Sequence, residues 1–116
     1  MSLTLTQIYD RLNISPEELD RLCQDWHICE LALFGSVLRD DFRPDSDIDL
    51  LVSYLPTAQR GLFEAMELQE VFEKTFGREV DLVSKAAILR SRNWLRKRNI
   101  LNSAKVIYVS RSRIPH

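Results

Sequence analysis

Two aspartates two residues apart, Asp47 and Asp49, carry the strongest chemical signal in the chain. They begin a run, Asp47-Ile48-Asp49-Leu50-Leu51-Val52, that reads as a strand. Both carboxylates then leave one face while Ile48, Leu50 and Val52 leave the other. Carboxylates aimed into one small volume repel each other, and a shared proton or a cation must offset that. Their hard oxygens suit magnesium or manganese. Upstream, Gly35-Ser36 closes an apolar segment. Glycine permits close backbone approach there. A helix starting at Ser36 or Val37 would aim free amides and a positive dipole end at a phosphate. A phosphate cradle facing a carboxylate pair is what metal-assisted phosphoryl or nucleotidyl transfer needs. Asp81, in Glu79-Val80-Asp81-Leu82-Val83, supplies a third carboxylate if its strand neighbours the first. It could bind metal and accept a hydroxyl proton. Glu79 shares its face by period two and is the second candidate. An Asp-x-Asp among apolar neighbours is hard to dismiss as surface decoration, because unpaired buried carboxylates are costly.

The elements that must position these groups follow from hydrophobic periodicity. Strands are expected at residues 28–34, 47–54, 78–84 and 105–109. Residues 4–12 have helical spacing. Ser15, Pro16 and Glu18 form an N-cap, first-turn proline and capping box for a second helix ending near residue 25 or 26. Residues 62–76 form an amphipathic helix with Leu62, Ala65, Met66, Leu68, Phe72 and Phe76 on one face, and Gly77 caps it. Residues 85–102 read as one or two helices with Ile88, Leu89, Trp94, Leu95, Ile100 and Leu101 inward. Trp26 and Trp94 read as core. The fold class is α+β, α/β-like in its alternation, with a small sheet. The chain is one domain: an N-terminal helical hairpin over residues 1–27, a core over 28–109 and a basic tail over 110–116.

Composition sets the surroundings. The 116 residues carry 16 basic and 17 acidic side chains, a net charge of −1. Seven basic and seventeen acidic residues stand before Lys85; nine basic and no acidic residues follow from Lys85 on. That basic excess either complements the chain's own acidic half or binds phosphates or an acidic partner. No apolar run is long enough for a membrane helix. The first ten residues lack a signal-peptide pattern, so the expected compartment is the cytoplasm. Cys23, His27 and Cys29 have the wrong number and spacing for structural zinc and read as packing at the core edge. The helical hairpin has the outline of a helix-turn-helix, but its second helix carries four acidic residues against Arg21, which phosphates would repel. It reads as a packing or partner-binding hairpin, and direct nucleic-acid binding is not expected.

Gly35-Ser36, ten residues, then Asp47-Ile48-Asp49 resembles the GS-x10-DxD motif of the DNA polymerase beta-like nucleotidyltransferase superfamily. Pro44-Asp45-Ser46-Asp47-Ile48-Asp49-Leu50-Leu51-Val52 looks like its small branch, the minimal nucleotidyltransferase (MNT) antitoxins of HEPN/MNT toxin–antitoxin pairs. The resemblance implies a nucleotidyltransferase fold, a small mixed sheet with helices packed mainly on one side. It implies Gly35 and Ser36 at the triphosphate, with Arg39 a possible phosphate contact. It also implies two Mg2+ ions on Asp47 and Asp49, with Asp81 as the third carboxylate. The activity implied is that of a type VII-like antitoxin, transferring AMP from ATP to a tyrosine of a HEPN ribonuclease toxin encoded next to it. Alternatives are an antitoxin that acts by complex formation alone, or a transferase with another acceptor. Asp40 departs from the family, which often has glycine after the arginine, and the N-terminal hairpin is an addition whose role does not carry over.

Overall fold

The computed structural model describes residues 3–58 and 61–110. Most of the basic tail expected over 110–116 therefore lies outside the described residues. Two short helices open the chain, α1 (Leu5–Leu12) and α2 (Pro16–Asp25). Each is started by a side-chain cap. Thr4 and Gln7 exchange a complete capping box, and the Ser15 hydroxyl accepts from the Glu18 amide. Asn13, in the left-handed region at φ 58°, stops α1 and turns the chain into α2. Ile8, Leu12, Leu19 and Cys23 are fully buried, so the hairpin forms a wall of the core.

Four strands make one mixed sheet in the order β3-β2-β1-β4. β1 is Ile28–Phe34, β2 Ile48–Tyr54, β3 Val80–Ser84 and β4 Lys105–Val109. β1 runs antiparallel to both β2 and β4. β2 and β3 are parallel, joined by the crossover helix α3 (Leu62–Phe76). Parallel pairing requires such a crossover. One sheet face buries Leu31, Leu33, Ile48, Leu50, Val52 and Val80 against α1, α2 and α3. The other carries a smaller cluster, Ala32 and Leu51 under Ile88 of α4 (Lys85–Leu89) and Ile100 of α5 (Trp94–Ser103). The domain is thus α+β with helices mainly on one side.

Five side chains expected to face inward are exposed. On α3, burial is confined to Leu68, Phe72 and Phe76, spaced i, i+4 and i+8; Leu62 and Met66 are exposed. On the opposite face, Ala32 and Leu51, with Phe34 and Val83 beside them, pack with Ile88, Ile100, Leu101 and Ala104, while Leu89, Trp94 and Leu95 stay exposed. Trp94, 66% exposed, is not core, whereas Trp26 packs against it. Cys23 is a buried free thiol whose pKa burial pushes up, and Cys29 is also free. His27 is exposed, its Nδ1 2.9 Å from the Thr57 hydroxyl.

Candidate active site

The chemistry-bearing residues meet at one end of β1, β2 and β3. β1 delivers the chain to Gly35, which adopts φ +76° and opens a single 3-10 turn, Gly35–Leu38. A Cβ at Gly35 would overlap the Oδ2 of Asp49 and come within 3.2 Å of its Cγ. Only glycine meets both demands. The helix expected from Ser36 or Val37 is therefore shorter than the sequence implied. Arg39 is already extended, and its amide donates to the Ser36 carbonyl at 2.9 Å. One turn carries little dipole, so a phosphate here would rest on the local amides and the Ser36 hydroxyl.

Asp49 lies on β2 between two partners in register, Phe34 of β1 and Asp81 of β3. Parallel register places the two carboxyl-bearing residues side by side, as the third-carboxylate expectation required. Asp47 stands one residue before β2 and is exposed. Burial first, then the charges of Asp81 and Asp47, raise the Asp49 pKa, and Arg39 opposes them. These groups therefore share one electrostatic neighbourhood. Glu79 also precedes its strand; its carbonyl accepts from the Ile48 amide at 3.0 Å, tying the starts of β2 and β3 together. Among the described residues, no three Asp, Glu, His or Cys side chains converge tightly enough to grip an ion by themselves. The donor set, all hard oxygens with mutual repulsion to relieve, suits a magnesium ion shared with substrate phosphates.

Arg39 is exposed at the rim, with its Nε 3.1 Å from Asp41, an ion pair of small energetic weight. A cleft beside the turn runs between Phe34, Gly35, Leu38 and Arg39 on one wall and Asn99 and Ile100 of α5 on the other.

What holds this site together has no local signal in the sequence. Residues 39–47, between the turn and β2, have no regular structure of their own. Two arginines from distant elements fasten this stretch. Arg11 of α1 donates through Nη1 to the carbonyls of Val37 (2.8 Å) and Arg39 (2.6 Å). Arg78 donates to those of Arg43 (2.8 Å), Pro44 (2.9 Å) and Ser46 (3.2 Å). Phe42 lies under both guanidinium groups, 4.3 Å from that of Arg78 and 5.2 Å from that of Arg11. The N-terminal hairpin thereby acquires a role at the site through Arg11. Lys85 and Glu30, 2.9 Å apart, form a second unforeseen feature, a largely buried ion pair on the α4 side of β1.

A nucleotidyltransferase domain model matches residues 17–107. The chain belongs to this family. The motif Gly35-Ser36-x10-Asp47-x-Asp49 thus pointed to the right family. The chain is similar to protein adenylyltransferase MntA of Thermococcus cleftensis, 34% identical over 88 residues, covering 74% of this chain and 82% of the relative. Its fold also resembles that of a solved toxin–antitoxin with AMP-PNP (TM-score 0.63, 19% identity, 85% of this chain and 77% of that one). A Shewanella oneidensis complex of tri-AMPylated HEPN toxin and MNT antitoxin is similar at TM-score 0.55 and 21% identity, covering 84% of this chain and 71% of that one. No helix among the described residues is long and apolar enough to cross a membrane.

Proposed function

We propose that this nucleotidyltransferase is an antitoxin that moves AMP from ATP to a tyrosine of a HEPN-family toxin encoded beside it, with Mg2+ as cofactor. The observation that carries the reading is the in-register pairing of Asp49 with Asp81 beside the Gly35 turn. It is supported by the names of the similar proteins, a protein adenylyltransferase and a complex with an AMPylated HEPN toxin.

Gly35 and Ser36 receive the triphosphate, and Arg39 at the rim adds positive charge to it. Asp47, Asp49 and Asp81 would hold two magnesium ions, which supply charge neutralisation at the phosphates. The tyrosine oxygen bonds to the α-phosphorus, the bond from that phosphorus to the α,β-bridging oxygen breaks, and pyrophosphate leaves. Asp81, the exposed carboxylate of the pair, takes the hydroxyl proton. Arg11 and Arg78 keep the Gly35 turn and the Asp47 carboxylate in register with each other.

Incubation with ATP, Mg2+ and the neighbouring HEPN-family protein, followed by intact mass and peptide mapping, tests the reading. One or more AMP units on a tyrosine are expected. A stable complex with no mass gain would overturn it in favour of neutralisation by binding alone. AMP on another residue would correct the acceptor.

A further inference from the structure

The basic segment that starts at Lys85 had two readings, pairing within the chain or binding outside it. The structure separates them. Lys85 alone among its described members pairs with the acidic half, through Glu30. Arg92, Arg96 and Arg98 are exposed and make no ion pair or hydrogen bond through their side chains. Beside them stand three exposed apolar side chains, Leu89 (50%), Trp94 (66%) and Leu95 (55%). The Lys97 Nζ donates to the Leu89 carbonyl at 3.0 Å and fastens the first turns of α5 to the end of α4, so Leu89 stands at the corner where α5 begins with Trp94 and Leu95. Trp94 and Arg98 are four residues apart and Leu95 and Arg98 three, so they are neighbours on the helix surface.

We propose that this corner of α4 and α5 is the docking surface for the protein that receives the nucleotide, and that it engages an acidic, partly apolar patch of that protein. The proposal rests on the functional reading above. Tryptophan and arginine are the residues that most often dominate protein interfaces. A cluster of free guanidinium groups selects an acidic counterpart by charge. Exposed Leu89 and Leu95 favour a protein occupant, since a phosphate backbone offers little for aliphatic groups to cover. The position also fits. Asn99, on the wall of the cleft beside Gly35, is five residues from Trp94, about 7.5 Å along the helix axis. An interface of ordinary size buries about 800 Å2 on each partner, a patch roughly 30 Å across. A protein that puts its acceptor group into the cleft would therefore cover this corner as well.

The test compares wild type with Arg96→Glu/Arg98→Glu, the milder Arg96→Gln/Arg98→Gln and Trp94→Ala. ATP binding by the free protein, affinity for the purified HEPN-family protein and AMP transfer are each measured. The expected result is unchanged ATP binding with affinity and transfer reduced about tenfold or more by charge reversal, less by neutralisation. A photo-crosslinking residue at position 94 should capture the purified partner. Variants that bind and modify the partner like wild type would overturn the docking surface and leave the function standing. A wild type that neither binds nor modifies the partner would overturn the functional reading, and the surface with it. If charge reversal loses ATP binding, the glutamine pair and Trp94→Ala decide. Binding of a single-stranded RNA 12-mer that these substitutions abolish, with partner affinity intact, would assign the corner to nucleic acid instead.

Discussion

Gly35 and Asp49 occupy one space: the Oδ2 of Asp49 sits where a side chain at residue 35 would begin. The turn that would cradle phosphates and the strand that would hold metal are therefore in direct contact. Gly35→Ala should reduce nucleotidyl transfer by about a hundredfold or more, since it displaces Asp49 and strains a backbone at φ +76°. Stability should fall by only about 1–2 kcal/mol, because the turn is at the sheet's end. Transfer kinetics beside a thermal melt separate the two effects. A variant with normal kinetics would show that the contact is dispensable.

Asp49 also makes the free site costly. Its raised pKa means that the folded protein holds the carboxyl proton more tightly than the unfolded chain does. At pH below the ordinary carboxylate range both states are neutral there and nothing is lost. As pH rises, the unfolded chain ionises first, and stability falls until Asp49 has ionised in the native state too. Asp49→Asn should abolish transfer yet raise Tm in EDTA at neutral pH. That advantage should vanish in acid, and melts across about pH 2.5–7 would read it.

Arg11 and Arg78 hold the stretch from Val37 to Ser46 through its backbone carbonyls. Arg11→Ala and Arg78→Ala should each cost about 1–3 kcal/mol, as charged hydrogen bonds to carbonyls are lost. Each should also reduce kcat/KM by about tenfold or more through poorer placement of Asp47 and Ser36. Urea denaturation and steady-state kinetics give both numbers. Full activity in Arg11→Ala would confine the N-terminal hairpin to core packing.

The Lys85–Glu30 pair is a structural commitment. Lys85→Met leaves a carboxylate that is 10% exposed facing α4 without its lysine. A loss of about 1–3 kcal/mol is expected, with ATP binding retained. Equal stability of wild type and variant in denaturant would show that Glu30 is held adequately by its other contacts.

The strands and helices that carry the candidate site were legible because their signals are local. Ser15 with Pro16, the alternation around Asp49 and Gly77 after α3 each act within a few residues. Gly35-Ser36 and Asp47-x-Asp49 were legible as a spacing, and the register of β2 with β3 made Asp81 their neighbour. The Arg11–Phe42–Arg78 stack was not legible, since Arg11 and Arg78 are far apart in the chain and surface arginines carry no pattern. The exposure of Trp94 and Leu95 was missed for a related reason. Helical periodicity shows that a face is apolar, but the size of the opposing surface decides how much of it is buried. Here the cluster around Ala32 and Leu51 takes in Ile88, Ile100 and Leu101 and leaves out Leu89, Trp94 and Leu95.

Metal-dependent transfer through the paired carboxylates is open to a single experiment. Transfer of label from ATP carrying it at the α-phosphate to the neighbouring HEPN-family protein tests it most directly, with wild type, Asp47→Asn/Asp49→Asn and Asp81→Asn run together with and without Mg2+. Label should appear on the partner only with wild type and Mg2+, and all variants should lose it by about a hundredfold or more. Labelling that persists in the aspartate variants, or without a divalent cation, would rule out this mechanism.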